Sequence, residues 1–138
     1  MERDRNGLGV LDRDRCLALL SSVSVARIGL SVNGVPVVLP VCIVLDRNEI
    51  IIRCGEGTKL DAALTNSMVA IEADAYDPAD HSGWSVVVKS HARPVTAPAE
   101  LERVEGLGLP SWTPEQADRY IAIGTDLISG RSLGSPPP

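Results

Sequence analysis

The dipeptide Asn33-Gly34 constrains this chain more than any other two residues. Both residue types tolerate positive φ, so the pair suits a type I′ turn, which matches the twist of two antiparallel strands. Before it runs Val25 to Val32, where Ala26, Ile28, Leu30 and Val32 alternate with Arg27, Gly29 and Ser31, as in a strand with one buried face. After it runs Val35 to Leu45, apolar almost throughout. Pro36 and Pro40 interrupt that run, so it is expected to bend or to form an edge, with backbone groups left open. Asp46-Arg47-Asn48 makes the next turn, and Glu49 to Cys54 returns as a third strand. The chain therefore begins its sheet as an antiparallel meander.

The remainder reads as more strands with few helices. Asp12 can cap a helix reaching about Val23, and the residues before it are expected to be loosely ordered. A fourth strand is expected from Met68 to Asp74 and a long fifth from Trp84 to Val95, separated by the polar loop Tyr76 to Gly83. Ala97-Pro98 opens a helix of about Ala99 to Leu107. Tyr120 to Ile123 and Leu127 to Leu133 form a final strand pair or one bent strand, and Gly134 to Pro138 is a disordered tail. The chain has no Phe at all, so its core must come from Val, Ile, Leu and Ala, and the β-branched excess favours strands. About six short strands joined by hairpins suggest a mainly β fold, a small closed or nearly closed antiparallel barrel with a few short helices. Residues 12–133 are expected to form one domain, after a flexible stretch at 1–11 and before the tail at 134–138.

The stretch Ile50 to Leu64 carries the chemistry. It reads as a strand, a glycine-punctuated loop and a short helix opening at Thr58, whose hydroxyl can cap the first turn. Gly55 and Gly57 let backbone N–H groups point one way, as in an anion-binding nest. Lys59 opposes the helix dipole unless an anion sits in front of it, and Arg53 at the strand end can add a second cation. The expected ligand group is a phosphate. The alternative is a solvated surface lysine. The spacing fits neither the Walker loop nor the dinucleotide fingerprint.

With these pieces in order, the chain resembles the pyridoxamine 5′-phosphate oxidase-like family of FMN-binding split barrels, closest to its small actinobacterial members. The resemblance runs from about Asp12 to Leu133. It rests on Val25-Ala26-Arg27-Ile28-Gly29, Pro40-Val41, the strand ending at Arg53, Gly57-Thr58-Lys59-Leu60, Ser82-Gly83-Trp84-Ser85-Val86 and Ile128-Ser129-Gly130-Arg131. It implies a six-stranded antiparallel split β-barrel that forms a homodimer with FMN between subunits. Arg53, Thr58 and Lys59, with Leu60 closing the motif, would correspond to the phosphate site. The backbone at Pro40, Val41 and Cys42 would follow the isoalloxazine edge, and Trp84 and Ser85 would lie near the flavin or the dimer seam. The implied activity is a flavin-dependent oxidoreductase passing hydride to or from a small molecule. Many relatives carry Asn or Thr and then Tyr after Pro-Val, where this chain has Cys42-Ile43. That change at the ring end leaves open weak FMN binding, a deazaflavin, or loss of the cofactor.

Other chemistries are less well supported. Net charge −5 argues against non-specific nucleic-acid binding. Cys16, Cys42 and Cys54 are odd in number and widely spaced, which suggests neither a disulfide framework nor a zinc site and points to a reducing cytoplasm. No run is apolar long enough to span a bilayer as a helix. His81 and His91 are isolated, so neither a metal nor haem ligation is argued from spacing, although haem-binding split barrels exist. Cys42 lies in an apolar run, where cysteine is usually an inert small hydrophobe. A non-catalytic dimer that holds a phosphorylated ligand is the competing reading.

Overall fold

The computed structural model describes residues 2–54, 67–110 and 119–134. Its strands are β1 (Gly9–Leu11), β2 (Val25–Val32), β3 (Val35–Asp46), β4 (Glu49–Cys54), β5 (Met68–Asp77), β6 (Ser82–Pro94), β7 (Arg119–Gly124) and β8 (Leu127–Leu133). Among the described residues two helices accompany them, α1 (Arg13–Ser21) and α2 (Pro98–Glu105). The order along the sheet is β1-β8-β6-β5-β2-β3-β4-β7, and a further pairing of β6 with β7 closes β2 to β7 into a six-stranded antiparallel barrel.

Turn chemistry sets the first half. Asn33 and Gly34 both adopt positive φ, at 51° and 79°, and join β2 to β3 with Val32 opposite Val35. Arg47 and Asn48 repeat this between β3 and β4, at 51° and 61°. Two-residue hairpins make the flanking pair a hydrogen-bonded one. The odd-numbered residues of β3 therefore point their N–H and C=O groups at β2, and the Ile43 N–H donates to the Ser24 carbonyl at 3.0 Å in that direction. Pro36 and Pro40 have the opposite parity, so their missing N–H groups cost the β2–β3 ladder nothing. The expected edge is present. Among the described residues, 35–42 pair only with β2, and β4 joins β3 from Ile43 onward.

β6 divides the molecule. Its first half, Gly83 to Lys89, pairs with β8, and its last part, Ala92 to Pro94, pairs with β7. The expected final strand pair is thus replaced by two strands that share β6. The corner between them is held by Arg13, whose guanidinium donates to the carbonyl and hydroxyl of buried Thr125, while the Thr125 hydroxyl donates to the Asn48 carbonyl.

The inward residues form one aliphatic core: Ala26, Ile28 and Leu30 from β2, Ile50 and Ile52 from β4, Val69 and Ile71 from β5, Val88 from β6, and Ile121 and Ile123 from β7. α1 stops one end of the barrel. Asp12 caps it by accepting from the Arg15 N–H at 2.8 Å, and Leu20 enters the main core. α2 lies on the opposite side, over the outer face of β4 and β7, where Val104 and Leu109 pack with Ile51, Tyr120 and Ala122. Arg93 bridges Glu49 and Glu100, and Arg103 meets Asp46 at 3.0 Å, so ion pairs join α2 to β3, β4 and β6.

The chain start differs from the loosely ordered one expected. β1 pairs with β8, and the Asp4 carboxylate accepts from the N–H groups of Asn6 and Leu8 and from Arg131 Nε at 3.0 Å. A contact spanning 127 residues of sequence supplies this order, and local pattern does not register it. Among the described residues, no helix is long and apolar enough to cross a membrane.

Candidate functional site

The corner where β3 parts from β2 and meets β4 gathers four of the expected site residues. Ile43 pairs with Ile52, so Cys42 and Arg53 occupy the next position along the same ladder. Pro40 is exposed at the free edge, and Val41 points into the core, so only its backbone faces the corner. Cys42 is half-buried against the α2 cluster, and burial pushes its thiol pKa up, which suits an inert side chain rather than a nucleophile. Thr58, Lys59 and Leu60 lie outside the described residues.

Arg53 is the cation of this corner. It is half-buried on the outer face of β4, with Tyr120 directly opposite on β7. Its Nη1 donates to the Leu109 carbonyl at 3.1 Å, and its guanidinium carbon sits 5.6 Å from the centre of the Tyr120 ring. A cation–π contact and a carbonyl together fix the plane of the guanidinium. Neither Tyr120 nor Leu109 was anticipated from the sequence. Tyr120 was legible as a strand residue, but its register against Arg53 depends on a partner far along the chain.

Trp84 and Ser85 fall elsewhere in the chain. They lie on β6, and β5 and β2 stand between them and β3. Trp84 faces inward and packs against both the main core and the cluster under α1. Ser85 faces outward, opposite Asp74 on β5 and Arg131 on β8. Both border a cleft of about 370 Å³, with Leu8 and Leu133 as apolar wall and Glu72, Asp74 and Arg131 as its charged rim. Glu72 is unusual there. Burial, then the hydrogen bond and charge of Asp74, raise its pKa to about 7 against the pull of Arg27. Asp4, beside the cleft, shows the reverse: burial pushes its carboxyl up, but hydrogen bonds from Leu8, Asn6 and Arg131 hold it below the ordinary range.

Among the described residues, one large face of the barrel has no helix over it. Outward residues of β2, β3, β5, β6 and β8 make it up, and it joins the β3 edge to the cleft. Val38, Met68 and Leu127 are 69%, 54% and 65% exposed. Isolated exposed apolar residues need no explanation, but several on one flat sheet face mark an interaction surface.

A model of the pyridoxamine 5′-phosphate oxidase family matches residues 12–132. The chain belongs to that family. An uncharacterized Mycobacterium tuberculosis protein is 33% identical over 125 residues, covering 87% of this chain and 82% of the relative. Among solved structures, the FAD binding protein of Mycobacterium smegmatis superposes with a TM-score of 0.78 at 31% identity, covering 91% of this chain and 98% of that one. A conserved Corynebacterium diphtheriae protein of unknown function gives 0.75 at 30% identity, with coverage of 91% and 98%. The FAD and heme binding protein of Mycobacterium smegmatis, at 18% identity and a TM-score of 0.69 over 92% of this chain and 73% of that one, shares the fold. The family match spans the β3–β4 corner and all of the β6–β8 cleft except Leu8 and Leu133.

The described residues of the corner fit a flavin nucleotide. A fixed, half-buried guanidinium suits a phosphate. The open edge at Val38 and Pro40 offers an apolar surface and strand backbone to a planar ring.

Proposed function

We propose that this chain binds a flavin nucleotide, FMN in the first instance, and works as a flavin-dependent oxidoreductase on a small molecule. The observation that carries the reading is Arg53, a cation held by Tyr120 and Leu109 beside the part of β3 that, among the described residues, pairs only with β2. Arg53 would hold the phosphate, and Thr58, Lys59 and Leu60, which lie outside the described residues, are its further contacts expected from the sequence. Pro40, Val41 and Cys42 present backbone and a small apolar side chain to the ring, with no polar side chain at the last two positions. Bound flavin would supply hydride transfer, and the protein would contribute position, charge and exclusion of water.

The likeness to a FAD binding protein at 31% identity supports a flavin and makes the tail length a matter for measurement. We also propose a homodimer. The outer sheet face favours it, because it carries exposed apolar groups beside both Arg27 and acidic residues and can therefore match its own copy. A second copy also gives Trp84 and Ser85 a route to the flavin, across the seam from the β3–β4 corner.

Purified protein is expected to take up FMN with a yellow absorbance that dithionite bleaches. Chromatography of the released cofactor separates FMN from FAD. Arg53→Ala with Lys59→Ala should weaken FMN binding by at least about tenfold per lost charge-assisted contact. Chemical denaturation should show a much smaller change in folding. Equal loss of binding and folding, or a colourless protein that takes up no flavin, would favour the non-catalytic module instead.

A further inference from the structure

We infer that Tyr120, acting through Arg53, sets how strongly this chain prefers a phosphorylated flavin to the same flavin without its phosphate. This rests on the reading of Arg53 as a phosphate cation and adds the positioning residue that makes that cation selective.

The two residues meet by register. Arg53 stands opposite Tyr120 on the β4–β7 ladder, on the outer face of the barrel that α2 covers. The Tyr120 ring is buried there with Ile51, Val104 and Leu109. Its backbone is tied as well, since the Tyr120 carbonyl accepts from the Val95 N–H at 2.9 Å. Close packing and backbone pairing together hold the ring in one place. Leu109 belongs to the same buried cluster, after α2 and the turn at Gly108, whose φ is 71°.

Both contacts to Arg53 come from this rigid patch. Its Nη1 donates to the Leu109 carbonyl at 3.1 Å. Its guanidinium carbon lies 5.6 Å from the centre of the Tyr120 ring, whose face carries the negative part of the aromatic quadrupole. Neither the ring nor the carbonyl bears a formal charge. These two contacts therefore orient the guanidinium without neutralising it.

A phosphate accepts two parallel N–H bonds only from a guanidinium whose fork is turned toward it. An arginine without a platform spreads over many rotamers, and ordering it on binding lowers affinity. Tyr120 orders the group before the ligand arrives. Only a ligand that carries a phosphate gains from this, because the backbone at Pro40, Val41 and Cys42 would meet the ring of either flavin alike. A tyrosine that served packing alone would affect both ligands equally.

Equilibrium dialysis of the full chain against FMN and against riboflavin tests this. The ratio of the two dissociation constants is the phosphate preference. Arg53→Ala should lower that ratio at least about tenfold. Tyr120→Leu should lower it at least about threefold and leave the riboflavin constant unchanged. Tyr120→Phe keeps a ring and should stay within about twofold of the wild type. The same Tyr120→Phe change made with pentafluorophenylalanine keeps a ring in place but reverses the charge of its face, and it should fall with Tyr120→Leu. That ring decides the matter alone if Tyr120→Leu does not fold. In an Arg53→Ala background, replacing Tyr120 should change the ratio no further. A ratio that ignores the fluorinated ring, or an equal loss of FMN and riboflavin binding, overturns the inference and leaves Arg53 at the phosphate. A ratio unchanged in Arg53→Ala overturns the phosphate reading, and the inference falls with it. A wild type that binds neither ligand overturns the flavin reading itself and both claims with it.

Discussion

Gly130 shows how tightly single residues are specified. A Cβ at this position would meet Cys16 Sγ at 2.6 Å, the Leu11 side chain at 3.1 Å and the Ser85 carbonyl at 3.2 Å. The glycine is therefore the point where α1 comes down onto β8. Gly130→Ala should cost about 1–3 kcal/mol through overpacking, measured by urea denaturation, and Cys16→Ala should recover part of it. Gly83 is similar, with the Ala75 carbonyl 2.5 Å from a would-be Cβ. Arg53, named from the sequence as a cation beside a phosphate, stands half-buried on the outer face of β4. Its partners Tyr120 and Leu109 were not legible, because they lie 56 and more residues away in sequence. A cation shows itself by its charge and its place at a strand end. What fixes it depends on which distant strands meet.

Among the elements, those with local chemistry were the readable ones. Asn33-Gly34 and Asp46-Arg47-Asn48 announced two hairpins through residues that tolerate positive φ, and Asp12 announced α1 through a side chain that satisfies a first-turn N–H. Asp12→Ala should lower stability by about 0.5–2 kcal/mol, and thermal unfolding of the purified variant measures it. β1 was not readable, since three residues give no period and its order comes from pairing with β8 and from Asp4 with Arg131. The partners of β7 and β8 were not readable either. Alternation identifies a strand and its buried face but says nothing about which neighbour it chooses. The ion pairs that tie α2 down contribute little singly, because the side chains of Arg93 and Glu49 remain substantially exposed. Arg93→Ala is expected to loosen α2, seen as faster hydrogen exchange at Leu101 and Val104, with a small change in global stability.

For the whole molecule, the titrating groups pull in opposite directions. Glu72 has its folded-state pKa raised to about 7 from an ordinary value of 4.5. Its contribution to stability is full below that ordinary value and is lost as pH rises through about 7. Asp4 and Glu100 are lowered, Glu100 chiefly by its hydrogen bond to Arg93, so their contributions are present at neutral pH and are lost as pH falls through the acid range. The melting temperature of the wild type should therefore gain a downward slope between about pH 4.5 and pH 7 relative to Glu72→Gln. Parallel curves for the two proteins across that window would rule this out.

The division of β6 has a mechanical consequence. Its two ends are zipped to different neighbours, so a slip of one residue in that strand would turn side chains over in the barrel seam and beneath α1 at the same time. Neither region can relax by itself, and the molecule is expected to come apart in a single cooperative event rather than to peel open from the β3–β4 corner.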